Sequence, residues 1–507
     1  MSPVKGTRCA FRACRYSACR IAAAAVLGFL IAGPLMAGPW LTPGDPWLKA
    51  DVQLLSDAGV ITSPISSWPL SWGDIAQDLN AFEAENELSV AEETALQRMR
   101  NRARRALAVD ESVIDGGLRL AEKPLLVRGF YDAPRGEQEA WASVERTGER
   151  FAFKVRASYV NDDPTDRRGG RLDGSYAAVA LGNWMVGASL IDRWWGPGWN
   201  GSLILSSNAR PIPSLVVERN FSTPFQSKWL GWIGPWSTSV IWGQLESGRA
   251  VPNARFFGWR VNFRPFQPLE IGLLRTAQWC GSGRDCDLDA FGKVLIGDSN
   301  LDAGGNTDVA NQLAGFDARW SSPFGDLPFA LYGQLIGEDE AGGFPSRYLG
   351  QFGVEVWGHL SGRGANWRAY AEFADTTCQF NESSKRFNCA YNNGFYPTGY
   401  RYRGRAIGHS SDNDAASVAF GLIASDQEYG EWSLSVRHFR LNRGGPADSR
   451  NTVAPTPRDL TDVDIVHRRS YENVELEFGL GAERMEVKSN NADDTDVRVF
   501  VGATLRL

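Results

Sequence analysis

Apolar and polar residues alternate with a period of two along much of this 507-residue chain. Phe151, Phe153, Val155, Ala157 and Tyr159 interleave with Lys154, Arg156 and Ser158, and Phe257, Trp259, Val261 and Phe263 with Gly258, Arg260, Asn262 and Arg264. The rhythm returns in Phe329, Leu331 and Leu335, in Trp367, Ala369, Ala371 and Phe373, and in Val474, Leu476, Phe478 and Leu480. Val497, Val499, Val501, Ala503, Leu505 and Leu507 repeat it at the chain end, although outer-membrane proteins usually finish in an aromatic residue. A period of two gives each strand one apolar and one polar face. Here the apolar face is aromatic-rich and the polar face sets Arg beside Gly, which suits lipid outside and a wet, charged lumen inside. Only a closed barrel satisfies every strand's backbone groups in hydrocarbon. Beyond residue 37 no apolar run reaches the ~20 residues of a spanning helix. The longest, Ala177 to Ile191, is broken by Asn183 and two glycines.

The first residues follow other rules. Lys5, Arg8, Arg12, Arg15 and Arg20 precede the apolar run Ile21 to Gly33, and Ala37-Gly38 offers a small-residue cleavage point. This predicts a signal peptide over 1–37 and export. Residues 38–120 read as a helical segment: Trp47, Leu48, Leu54 and Leu55 fall at helical spacing before Gly59, and Ser71 caps Trp72 to Leu79. Ser89 with Glu92 forms a capping box ahead of Ala95, Leu96, Met99, Ala103 and Leu107. The barrel is expected over 121–507, with long polar insertions at Cys280–Asn311, Thr376–Asp414 and Asn442–Asp464 on its extracellular side.

Charge and cysteine narrow the partners. Without residues 1–37 the chain carries 48 basic and 59 acidic side chains, a net charge of −11. That excludes the basic footprint of a nucleic-acid binder. Cys280/Cys286 and Cys378/Cys389, each pair inside a polar insertion, read as two loop-closing disulfides in an oxidising compartment. Neither pair has zinc spacing, and His359, His409, His438 and His467 are scattered, so no metal or cofactor is expected.

The densest chemistry lies in Arg193-Trp194-Trp195-Gly196-Pro197-Gly198-Trp199-Asn200-Gly201-Ser202-Leu203, continuing to Arg210-Pro211. Glycine and proline fix an ordered loop. Indole faces beside guanidinium suit a sugar ligand, through ring stacking and bidentate pairing with carboxylates. The same aromatics also suit a knot that pins the loop. Trp229, Trp232 and Trp236 form a second group, fit for ligand contact or for an interfacial girdle.

These words resemble the capsule assembly protein Wzi family. The resemblance runs on through Trp229-Leu230-Gly231-Trp232-Ile233-Gly234-Pro235-Trp236, Val251-Pro252-Asn253-Ala254 and Pro265-Phe266-Gln267-Pro268-Leu269-Glu270. It continues in Asn311-Gln312-Leu313-Ala314-Gly315-Phe316-Asp317 and Gly333-Gln334-Leu335-Ile336-Gly337-Glu338-Asp339-Glu340, spanning roughly Ala50 to Gly337. It implies an outer-membrane barrel of 18 strands that binds capsular polysaccharide, with the helical segment across its periplasmic mouth. The 384 residues from Pro124 to Leu507 then give about 21 per strand and connection, ample for ~9–11 spanning residues each.

The expected fold is therefore an all-β transmembrane barrel of about 18 antiparallel strands with a short N-terminal helical segment. Its expected role is a monomeric lectin set in outer-membrane lipid, binding capsular or other surface polysaccharide without catalysis. The expected glycan contacts are Arg193, Trp194, Trp195, Trp199, Arg210, Arg260, Arg264, Arg275, Glu338, Asp339 and Glu340. Arg156, Arg260, Arg264, Arg275, Arg368 and Arg437 fall on or near polar strand faces, as a lumen ladder for an anionic chain or as partners for Glu270, Glu355, Glu372, Glu475 and Glu477. Two rivals remain open. One is a porin or specific channel for small anionic or sugar solutes. The other is an outer-membrane enzyme acting on glycan or lipid, with Glu338, Asp339 and Glu340 as its carboxylates; neighbouring carboxylates on a strand end point to opposite faces, against the paired geometry hydrolysis needs. Gly196 to Gly201 matches G-x-G-x-x-G without a following helix, and no nucleotide is expected there.

Overall fold

The computed structural model describes residues 40–83, 88–296, 310–324, 327–341, 344–360, 365–426, 430–445, 447–490 and 492–507. The expected signal peptide lies outside them. Antiparallel strands close a barrel of 18 positions, one of them filled by two short pieces, Gly170–Arg171 and Tyr176–Leu181, that pair along the same strand Phe151–Asn161. The ring closes where the last strand, Ala492–Arg506, pairs with the first, Ser112–Ala121, in the register Leu505↔Gly116. The barrel thus begins at Ser112, earlier than residue 121. The run Asp115-Gly116-Gly117 inside that first strand hides its pattern.

The two-residue rhythm resolves as the sequence implies. Tyr159, Trp259, Leu331, Phe373, Leu476 and Phe478 are exposed on the outer wall, while Arg260, Arg368 and Glu372 are buried inside. At one end the strands are joined by two-residue turns such as 182–183, 267–268 and 472–473. At the other end long connections, 190–213, 376–415 and 442–457, cross over the opening. The third insertion is shorter than expected, since Asp464 lies within the strand Arg458–Tyr471.

Three helices precede the barrel with the caps the sequence suggests. Helix α1 (Pro46–Asp57) starts at Asp45, whose carboxylate accepts from Leu48 N, and is followed by Gly59 at φ 78°. Helix α2 (Trp72–Ala81) starts at Ser71 and α3 (Val90–Ala106) at the Ser89–Glu92 capping box. A buried apolar cluster joins Leu48, Leu55, Ile75, Leu79, Leu96 and Met99 of the three. Helix α1 does more than cover the mouth. Eleven of its 12 residues are buried, and Trp47 Nε1 donates to the Trp432 carbonyl on the barrel wall at 2.9 Å. A fourth helix, α4 (Leu288–Ile296), was hidden in a polar insertion. Its Phe291 packs on Trp242, Phe257 and Trp279, all on outward strand faces, so α4 lies against the outer wall.

From the loop end, connection 376–415 folds inward. Tyr391 and Tyr400 hydroxyls donate to the carbonyls of Leu203 (2.6 Å) and Ile204 (2.8 Å), and both rings are fully buried against connection 190–213. Both expected disulfides are formed, Cys280–Cys286 and Cys378–Cys389. The latter closes a loop of sequence separation 11, for which chain entropy gives about 3 kcal/mol. Reduction is therefore expected to speed proteolysis within 379–397 while leaving the strands protected, as read by limited digestion and mass spectrometry.

Candidate functional site

The tryptophan-rich loop sits at the centre of the lumen, gripped from every side. Trp194 and Trp195 form a short bridge with Trp68 and Ser67 of the N-terminal segment. The Glu372 carboxylate, reaching in from the barrel wall, accepts from the backbone N–H groups of Trp199 (2.7 Å), Asn200 (3.2 Å) and Gly201 (2.9 Å), and from the Tyr332 hydroxyl (2.8 Å). Gln334 accepts from Leu203 N and donates to Trp195 O, and Gln351 donates to Gly201 O. Lys49 of α1 donates to Gly198 O at 2.6 Å and lies 4.4 Å from the Trp199 ring centre. Burial pushes this lysine down to about 7, with Glu355 and Glu372 opposing. Trp199 stacks on Tyr370 at 5.5 Å and 8°. The glycines are required by close approach: a Cβ on Gly198 would stand 2.0 Å from Gln351 Nε2, and one on Gly201 2.1 Å from the His409 ring.

The motif's aromatic faces are therefore occupied by the protein itself. Trp194, Trp195 and Trp199 are 1%, 0% and 2% exposed. Arg193 is buried and paired with Glu218, which also accepts from Ser239. Arg210 lies under the loop end, bonded to Asp173 (2.7 and 2.9 Å) and Asp166. In this structure the motif joins helix, wall and loops into one plug.

Four members of the arginine ladder, Arg260, Arg264, Arg368 and Arg437, face inward and are bonded within the protein. Arg260 pairs bidentately with Asp317 (2.6 and 2.9 Å), and Arg437 with Asp462. Arg319 and Arg368 share Glu355 on the wall and Asp57 at the end of α1, with Asp57 contacts of 2.7, 3.0 and 2.9 Å. Arg468 grips Asp45 and Glu431. Arg264 donates to Ser56 Oγ and Ile61 O, holding the exit of α1. Arg275 departs from expectation. It stands directly opposite Trp259 in the sheet and bonds Gln312, so it faces the outer wall and not the lumen. Glu338 faces inward near Tyr391 and Tyr400; the side chains of Asp339 and Glu340 lie outside the described residues. Trp229 (86% exposed) and Trp232 (63%) sit on the connection 220–235. Trp232 packs edge-on against the outward Phe263, at the place of an interfacial girdle.

These pairs give the α1 plug a pH signature. Burial pushes the Asp45 carboxyl up, but Arg468, Arg102 and the Leu48 N–H outweigh it and leave it at about 2. Asp57 is held below the usual carboxylate range because Arg319 and Arg368 likewise outweigh its burial. A carboxylate whose folded pKa is depressed stabilises fully above its ordinary value of ~4, and that stability is lost as pH falls through the folded value. The expected result in planar bilayers is an unchanged closed state from pH 7 to 5 and channel openings only near pH 2.

Sequence reasoning missed the exposed chemistry at the loop end. The disulfide-closed connection presents Asn381, Glu382, Ser383, Ser384, Arg386, Phe387 and Asn388 to solvent. Phe387 is 41% exposed, and Arg386 has no ion pair among the described residues. Beside them Arg284 lies 3.7 Å over the Phe395 ring, and Arg450 donates to Asn388 Oδ1 at 2.8 Å. The available signal was the same aromatic–arginine adjacency, Arg386-Phe387, sitting between paired cysteines.

A closed 18-position antiparallel barrel with an apolar outer wall, a charged interior and a self-filled lumen defines an outer-membrane protein of the plugged-barrel class. The chain belongs to the capsule assembly protein Wzi family, whose model matches residues 122–498. It is 31% identical over 467 residues to an uncharacterised 55.8 kDa protein of the cps region of Klebsiella pneumoniae, covering 91% of this chain and 88% of that one. Its fold matches the solved structure of Wzi, an Escherichia coli outer-membrane protein involved in group 1 capsule assembly and described as a carbohydrate-binding β-barrel. That match has a TM-score of 0.80 at 28% identity and covers 92% of this chain and 99% of that one.

Proposed function

We propose that this protein is an outer-membrane lectin that binds capsular polysaccharide and holds it at the cell surface, acting as a monomer and without catalysis. Short turns face the periplasm and long loops the exterior in such barrels, so the helical segment occupies the periplasmic side and the loop-end cap meets the glycan. The observation that carries the reading, beyond family membership, is the exposed Arg386–Phe387 pair, with Arg284 stacked on the half-buried Phe395 beside it, on a disulfide-stapled cap over a filled lumen. Aromatic stacking and guanidinium pairing at each site are weak alone, and retention comes from many copies engaging one polymer. A channel role is disfavoured by the same plug. The test is a strain lacking the gene: polysaccharide shifts from the cell pellet to the medium while total production holds. A capsule retained as firmly as in the parent refutes the proposal.

A further inference from the structure

The turn end holds a second site. A vestibule of about 640 Å³ opens between the N-terminal segment and the first strands. It runs into a cavity of about 130 Å³ on the inner wall, the two sharing Thr42, Pro43, Arg119 and Asp132. Trp141 lines the inner cavity. Its indole lies over the backbone of Gly117, where a Cβ would stand only 2.3 Å from the ring. The register Gly117↔Trp141 places both on the inward face. Two guanidinium groups flank the ring, Arg119 at 5.4 Å and Arg156 at 5.1 Å from its centre.

The charge balance singles out Arg156. Each carboxylate at the inner cavity already has a cation: Asp132 has Arg119 and Arg128, Glu139 has Arg119, Asp173 has Arg210 and Asp192 has Arg135. Arg171 is taken by Asp163. Arg156 has no ion pair among the described residues; its guanidinium rests on Trp141 at the cavity. A half-buried guanidinium stacked on an indole, with hydrogen-bond acceptors nearby, matches a carboxylate carried on a sugar ring. The vestibule has the volume of a ligand site for a short oligomer, so such a sugar enters from the turn end.

We propose that Trp141 and Arg156 form a binding site for a uronic-acid residue at the end of an acidic glycan, reached through the turn-end vestibule. The site is separate from the loop-end cap and does not depend on that reading. The test is calorimetric titration of the full-length protein in detergent with a galacturonic-acid trimer, a glucose trimer and acetate. The acidic trimer is expected to bind at least tenfold more tightly than the other two. Arg156→Gln is expected to weaken it at least tenfold and Arg156→Lys to retain part of the affinity. Arg156 makes no side-chain ion pair, so these variants leave the strand's ladder in place; heat-modifiable gel migration checks that they fold. Equal binding of the glucose trimer overturns the proposal, as does equal binding of acetate, which marks a simple anion site. So does binding that survives Arg156→Gln, or no binding of the trimer at all.

Discussion

Glu372→Ala is expected to unlock the plug and open the lumen to ions. The substitution removes the acceptor of three backbone N–H groups on the 199–201 loop and of the Tyr332 hydroxyl, all of them buried. A buried donor left unpaired costs about 1–3 kcal/mol, so the sum exceeds what one loop's packing restores. Glu372→Gln keeps one acceptor oxygen but turns an amide toward N–H donors, and is expected to fall between. Conductance in planar bilayers reads the opening, and the heat-modifiability midpoint reads the stability. A Glu372→Ala protein as silent and as heat-resistant as the parent removes the plug from the account.

Asp57→Ala acts from the other side of the same interface. Asp57 at the end of α1 is shared by Arg319 and Arg368, all three nearly fully buried. Without it two guanidinium groups face Glu355 alone. Removing one partner from a buried ionic cluster costs about 3–5 kcal/mol, because an uncompensated charge stays behind. The barrel's hydrogen-bonded ring does not pass through Asp57, so the loss falls on the seating of α1. Expected outcomes are protease cleavage within 40–107 on the intact barrel and intermittent channel openings. Arg319→Met combined with Asp57→Ala lowers the excess charge and is expected to recover part of the closed state.

How much of this was legible depends on range. The alternation around Phe257–Arg264 or Val474–Leu480 is local, so the barrel and its lipid-facing wall follow from a few residues at a time. Helix caps are equally local, and Ser71 and the Ser89–Glu92 box form as written. Arg275 fails because its charge alone suggests an inward face, whereas Leu273 and Ile271 share its parity and pair, like Arg275 with Trp259, on the outward face. The tryptophan loop shows the deeper limit. Its composition suits a sugar and a buried knot equally, and the deciding partners are remote: Glu372 lies 173 positions from Trp199, and Gln334 131 from Leu203. Helix α4 was hidden because its apolar Leu288, Phe291 and Val294 follow Gly, Asp and Cys residues that read as loop. Arg386 and Phe387 were overlooked because exposure, which makes them useful, leaves no periodic trace.

Binding of purified capsular polysaccharide to the detergent-solubilised protein tests the central claim most directly. The parent and a plug variant such as Trp199→Ala are compared with a cap variant carrying Arg284→Ala, Arg386→Ala and Phe387→Ala. The account predicts that the parent binds, that the cap variant loses at least tenfold in affinity, and that Trp199→Ala stays within threefold wherever it still folds. Full binding by the cap variant, with binding lost in the folded Trp199→Ala protein, would contradict it by placing the glycan inside the lumen.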